Sequence, residues 1–293
     1  MKHVILGLGA IGGLMGTALS STGEHVKVIV RPETLASLPP QLSLQRPAAQ
    51  ESLTGSFEPI IELNEPTDIL WIATKTYQLT SALELIKQAP RYVVPLLNGI
   101  DHVSVLRERF GASHVLPATI AVEAERSGPG KFIQRSPLLR LNLTESAKPL
   151  LGGLTETLGK IGFACQFIQN EQTLLWNKLC FLGPGALSTS ASGKSVGEIL
   201  ADAEWSQKLK SAVAEACAVA QASGAETRSD QTLAFFDGVP PTMRSSMQKD
   251  VIAGRPLELD AIGGPIVRGG ERFTIATPVT SLLMAAIRAK STG

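Results

Sequence analysis

The chain has 293 residues, with 27 Lys and Arg against 26 Asp and Glu for a formal charge of +1, and is 44% hydrophobic but only 18% charged. That balance excludes a disordered chain, and the near-zero charge without any basic run excludes an electrostatic footprint for nucleic acid or an anionic membrane. The length points to two domains, and aromatic residues at 5% call for an aliphatic core.

In chain order, His3 to Leu6 reads as a buried strand and Ile11 to Ser21 as a helix ending near Gly23. Val26 to Val30 is a second β-branched run. Pro39 to Pro66 is rich in Pro, Gln and Ser and reads as irregular edge structure with short strand-like pieces. Asp68 to Thr74 is a third strand, followed by a helical pattern from Tyr77 to Lys87. Arg91 to Leu97 is a fourth strand, then a helix near Val103 to Phe110. Alternation of this kind predicts parallel strands joined by helical crossovers.

From Val115 to Leu143 the pattern becomes extended, and Ser127-Gly128-Pro129-Gly130 predicts a hairpin turn. A helix over Leu150 to Ile161 and a strand over Ala164 to Ile168 follow. Beyond that, Gln172 to Phe181, Val196 to Ala222, Thr242 to Ile252, Leu257 to Val267 and Val279 to Lys290 all read as helices. The expected organisation is an α/β, Rossmann-type dinucleotide-binding domain over 1–169 and an all-helical C-terminal domain over 170–293.

Cys165, Cys180 and Cys217 lie among apolar neighbours and read as reduced core residues. The four histidines show no metal-ligand spacing, so no metal is expected. With no leader-like start and no long apolar run, a cytoplasmic protein is expected.

Gly7-Leu8-Gly9-Ala10-Ile11-Gly12 is G-x-G-x-x-G directly after the first strand and opening the first helix. The first glycine permits the tight turn, the second lets a pyrophosphate approach the backbone, and the third allows close helix–strand packing. The helix start then presents N–H groups and partial positive charge to phosphate. Gly13 and Gly16 thin the same helix for packing on the sheet. After the second strand stands Arg31, where an NAD site usually has an acid for the ribose 2′-hydroxyl. Arginine suits a 2′-phosphate, so NADP(H) is the expected cofactor, with Glu33 the nearest acid to argue otherwise. Lys75 and Asn98 also follow strands, so Gly9, Arg31, Lys75 and Asn98 are expected on one rim of the sheet.

In the second half, Lys178 interrupts the apolar run Leu174 to Leu182. Burial disfavours a charged Lys, so its head needs a partner, a cleft or a path to water. Because the cofactor half offers no evident acid or base, Lys178 is a candidate proton donor for carbonyl reduction, with Glu258 in a later apolar pattern.

These motifs together resemble the ketopantoate reductase (2-dehydropantoate 2-reductase) family over nearly the whole chain. The resemblance rests on Gly7–Gly13, Arg31, Lys75, Asn98-Gly99, Leu175-Trp176-Asn177-Lys178-Leu179, Ser245-Ser246-Met247-Gln248-Lys249-Asp250, Glu258 and Thr277-Pro278-Val279. It implies NADPH-dependent reduction of a small 2-oxo acid between the domains. Lys178 would be the general acid, Glu258 would hold substrate or its hydroxyl, and Ser246 would bond the substrate carboxylate. Asn98 and Lys75 would shape the junction of cofactor and substrate. A homodimer is the one protein assembly the resemblance makes possible.

Leu182, Ala186 and Val196 stand where the family usually has Asn, and Gly263-Gly264 replaces an Asn-Gly. Losing groups that bond a hydroxyl points to a less hydroxylated substrate than ketopantoate. Two alternatives therefore stand beside ketopantoate reduction: a reductase of a more apolar 2-oxo acid, and an NADP(H)-binding sensor without catalysis.

Overall fold

β1 (Lys2–Leu6) enters the core at once, with His3 through Leu6 all buried. The glycine turn leads into α1 (Ala10–Ser21), and β2 (His25–Ile29) returns parallel to β1. β3 (Gln41–Arg46) and β4 (Glu51–Ser56) follow, then β5 (Glu58–Ile60), β6 (Ile69–Ile72), α2 (Leu79–Leu83), β7 (Tyr92–Pro95) and α3 (His102–Phe110). Strands β5-β2-β1-β6-β7 form one five-stranded, wholly parallel sheet. Their runs of Val, Ile and Leu reflect cover on both faces. This sheet and the helical second half make the fold class the one expected: a Rossmann-type α/β part followed by an all-helical part.

β8 (Ala118–Ala121), β9 (Ala124–Gly128), β10 (Lys131–Gln134) and β11 (Arg140–Thr144) are the extended segments that follow, and β9–β10 is an antiparallel hairpin at the predicted turn. α4 (Lys148–Lys160) and β12 (Ala164–Ile168) complete this part. β4-β3-β10-β9 form a four-stranded sheet and β12-β11-β8 a three-stranded one.

The helical part comprises α5 (Glu171–Ser192), α6 (Val196–Ala201), α7 (Ala203–Ala222), α8 (Ser229–Asp237), α9 (Ser246–Ile252), α10 (Leu259–Phe273) and α11 (Pro278–Ser291). The computed structural model describes residues 1–291. The chain divides into two compact units, one of Met1–Leu97 with His102–Gln169, the other of Asn98–Asp101 with the chain from Asn170 onward.

Several elements differ from expectation, each for a physical reason. The stretch Pro39 to Pro66 is not irregular: β3 and β4 pair over six register positions from Gln41↔Ser56 to Arg46↔Glu51. Leu42, Leu44 and Leu53 of this hairpin are buried against α1, an alternation hidden by the polar residues between them. The helix expected over Tyr77 to Lys87 is only five residues, because Ile86 turns back to bridge Leu63. α5 runs eleven residues past Phe181, straight through Gly183-Pro184-Gly185, before Gly193 (φ +77°) ends it. A proline inside a helix costs a hydrogen bond, but α5 is surrounded by α7, α10, α11 and α9, and this packing outweighs local propensity. The single helix expected over Val196 to Ala222 breaks at Asp202, whose carboxylate accepts from the Glu204 and Trp205 N–H groups at 3.1 Å. α8 lies where no element is expected, its apolar residues Leu233–Phe236 being consecutive rather than spaced at a helical period. Gly13 packs not on a strand of the parallel sheet but on β10, where a Cβ would come within 2.0 Å of the Phe132 ring.

Among the described residues no helix is long and apolar enough to cross a membrane. No group of three or more His, Cys, Asp or Glu among them is arranged to hold a metal. All three cysteines are free, Cys180 and Cys217 buried and Cys165 half-buried.

Candidate active site

In the first unit, the carboxyl ends of β1, β2 and β6 carry Gly7–Gly12, Arg31 and Lys75. Gly7 has φ +102°, and a Cβ there would lie 2.8 Å from the Thr74 nitrogen. Only glycine fits such a turn without strain. Gly12 is excluded from having a side chain by the Gly7 carbonyl oxygen, 1.9 Å from an ideal Cβ. Gly9 is the N-cap of α1, and no side chain caps the helix, so no side-chain oxygen competes for the first-turn N–H groups of Ala10 and Ile11. Leu8, Ala10 and Ile11 are half-buried around an exposed Gly9. Arg31 is exposed at the start of the turn Pro32–Ser37, and no acid stands at the end of β2. Lys75 is half-buried and opens the turn Thr76–Gln78. An uncapped helix start, a left-handed glycine and an exposed guanidinium fit a dinucleotide that carries a 2′-phosphate.

In the second unit, three polar side chains meet. Lys178 lies on the first half of α5, whose start is capped by Asn170 accepting from the Thr173 N–H at 3.0 Å. Its ammonium Nζ donates to Asn98 Oδ1 at 3.1 Å. The other end of the same amide, Nδ2, donates to Glu258 Oε2 at 3.2 Å. Asn98 thus lies with its dipole along the field between a cation and an anion. Glu258 is 5% exposed and occupies the N-cap position of α10, yet its carboxylate makes no capping bond to the helix. Its charge is directed to Asn98 instead.

Burial pulls the Lys178 ammonium down to about 8, against the opposing attraction of Glu258. A proton donor with that value is still largely charged at neutral pH and readily gives its proton up. The arrangement can therefore stabilise negative charge growing on an oxygen and then protonate it.

Not every expected site residue joins this group. Asn98, Lys178 and Glu258 meet, but Ser246 is exposed in the first turn of α9 and makes no hydrogen bond with them. The cap of α9 is Ser245, which accepts from Gln248 N–H at 3.1 Å and hydrogen-bonds Thr189 at 2.8 Å. Of the expected rim, Gly9, Arg31 and Lys75 belong to the first unit, while Asn98, two residues past the sheet hydrogen bond from Leu96 N–H to the Ile72 carbonyl, belongs to the second through its contacts with α10. Ala186 and Val196 are 2% and 4% exposed and pack within apolar clusters of the second unit. Only Leu182, one turn beyond Lys178, is half-buried. The link of Asp101, at the end of the Asn98 segment, to Arg268 and through it to Asp260 is outside the sequence reading, since no local signal joins Asp101 and Arg268, 167 residues apart.

Comparison with known proteins bears on this arrangement. Residues 3–146 match the model of the family described as ketopantoate reductase PanE/ApbA, and residues 170–291 match its C-terminal counterpart. A 2-dehydropantoate 2-reductase of Caulobacter vibrioides is 29% identical over 293 residues, covering 97% of both chains. The solved 2-dehydropantoate 2-reductase of Geobacter metallireducens superposes with a TM-score of 0.87 at 23% identity, covering 99% of each chain. A solved D-mandelate dehydrogenase with NADH and anilino(oxo)acetate superposes with a TM-score of 0.86 at 23% identity, covering 100% of this chain and 99% of its own. The chain belongs to the ketopantoate reductase PanE/ApbA family, a family of NADP-dependent oxidoreductases.

Proposed function

We propose that the chain is an NADPH-dependent reductase of a 2-oxo acid, with Lys178 as general acid and ketopantoate as the first substrate to test. The observation that carries this reading is the Lys178–Asn98–Glu258 chain of hydrogen bonds at 3.1 and 3.2 Å. The Gly7–Gly12 turn would hold NADP(H), with Arg31 suited to its 2′-phosphate, and the cofactor would supply the hydride. The Lys178 ammonium offers its N–H to the substrate carbonyl oxygen, stabilises negative charge there, and passes its proton to that oxygen as the alcohol forms. Glu258 balances the ammonium before the proton leaves and accepts a hydrogen bond from the new hydroxyl. Asn98 keeps the two oriented. Lys75, which follows β6, is assigned to the cofactor. Ser246, exposed on α9, is assigned to the substrate carboxylate. Retention of the charged, hydrogen-bonded group in a largely apolar unit supports catalysis over a sensor, since such a group is costly to keep without a use.

A second substrate reading has its own observation. Leu182, one turn past Lys178, packs against the cluster containing Ala186, Leu187, Leu259 and Ile262, and so offers no donor to a substrate hydroxyl. This favours a 2-oxo acid with an apolar side chain. The D-mandelate dehydrogenase of the same fold illustrates that the fold does not choose the substrate.

The test is NADPH oxidation followed across ketopantoate and a series of aliphatic and aromatic 2-oxo acids. Highest kcat/KM for ketopantoate supports the first reading, and a preference of tenfold or more, about 1.4 kcal/mol, for an apolar acid supports the second. NADPH binding without oxidation of any acid would reject both.

A further inference from the structure

The segment Asn98–Asp101 is attached to α10 at every one of its residues, or to the cluster that α10 helps build. Asn98 Nδ2 donates to Glu258 at the head of α10. Gly99 has φ +80° and lies so close to the helix that a Cβ would come within 2.3 Å of the Ala261 carbonyl oxygen. Ile100 packs against the cluster that contains Ile266. At the far end, Arg268 is forked: its Nη1 donates to Asp260 Oδ1 at 2.8 Å and its Nη2 to Asp101 Oδ2 at 2.5 Å. The fork therefore joins two positions on α10 to the last residue of the segment, and Asn98, three residues earlier, is the residue that touches Lys178.

We propose that Arg268 and Asp101 are positioning residues, a clamp that holds the Asn98–Asp101 segment on α10 and thereby keeps Asn98 between Lys178 and Glu258. The proposal rests on the reading of Lys178 as the acid. Its physical basis is the difference between global and local effects. Arg268, Asp101 and Asp260 are 48%, 53% and 74% exposed in their side chains, so these pairs add little to overall stability. A four-residue segment without secondary structure of its own is easily displaced, and even a weak tie biases where it lies. Displacement of the amide oxygen from Lys178 removes a hydrogen bond that favours the charged ammonium, and the orientation of the proton donor goes with it.

The experiment compares wild type with Arg268→Met, Asp101→Ala and the double variant, each loaded with NADPH. Hydrogen exchange at the amides of residues 99–101 is read first, because it reports the segment whether or not a substrate turns over. The clamp predicts about fivefold faster exchange there and about fivefold lower kcat in each single variant. It predicts an unchanged KM for NADPH and an unchanged melting midpoint. The double variant does no worse than either single one, since both remove the same tie. The fall of kcat at alkaline pH moves to lower pH in all three, a change that a purely structural defect would not produce. Unchanged exchange, or unchanged kcat, or additive losses in the double variant would overturn the proposal. Were wild type to reduce no 2-oxo acid, the reading of Lys178 would fail by itself. The clamp would then be decided by exchange and by the titration of the Lys178 Nζ, which must shift downward in Arg268→Met if it exists.

Discussion

At the scale of single residues, the molecule shows two ways of burying a titratable side chain. Burial lowers Lys178 to about 8, against the attraction of Glu258, so its ammonium is still largely charged at neutral pH, where it donates to the Asn98 amide oxygen. His3 is kept neutral. It is fully buried, its Nδ1 accepts from the Trp71 indole N–H at 3.0 Å, and its Nε2 faces Glu24 Oε2 at 3.2 Å. Indole nitrogen can only donate, so the ring proton resides on Nε2 and protonating Nδ1 would set two donors against each other. Burial is the largest cause holding His3 below its usual 6.5, with Glu24 opposing. The folded value is lowered, so the unfolded chain takes up the proton first as pH falls. The contribution of His3 to stability is therefore complete above about pH 6.5 and declines below it, by at most about 1.4 kcal/mol per pH unit. Urea unfolding of wild type and His3→Gln from pH 7.5 to 5.5 should show the wild-type advantage shrinking as pH falls. An advantage that is constant or grows would contradict the neutral assignment.

At the scale of elements, α1 owes its position to the absence of side chains on one face. A Cβ on Gly13 would lie 2.0 Å from Phe132, whereas one on Gly153 of α4 meets nothing within 4 Å. Gly13→Ala should destabilise by about 1–3 kcal/mol through overpacking. Gly153→Ala should stabilise by about 0.5–1 kcal/mol, because alanine is the better helix former and nothing obstructs it. Thermal unfolding of the two variants checks both, and equal signs would refute the packing account. The same contrast bears on what the sequence made legible. The glycine turn, the parallel strands and the β9–β10 hairpin are local patterns and could be read directly. The β3–β4 pairing could not, because its buried Leu42, Leu44 and Leu53 are spaced by Ser, Gln and Thr, which show short strand-like pieces but not that they pair. Nor could the continuation of α5 through Pro184, which depends on neighbours distant in sequence.

At the scale of the whole molecule, the net charge of +1 conceals organised local fields. One is the uncapped start of α1 with Arg31 in the first unit, and the other is the Lys178–Asn98–Glu258 group in the second. In the sequence Lys178 stands out as a charge within an apolar helix, Asn98 as a polar residue after a strand and Glu258 as an acid in an apolar pattern, and the family resemblance supplies their roles. Their meeting through one amide, across 160 residues, was visible only in the fold. The central claim is that the Lys178 ammonium is the proton donor of a reduction that NADPH drives. It is tested most directly by the pH dependence of NADPH oxidation with the best 2-oxo acid, in wild type and Lys178→Ala, with NADPH affinity measured alongside. The account predicts a wild-type kcat that falls as pH rises through about 8. It predicts a Lys178→Ala rate lower by about 10²–10⁴-fold without that fall, and an NADPH dissociation constant within twofold of wild type. A Lys178→Ala variant that keeps wild-type kcat and the same alkaline fall would contradict it.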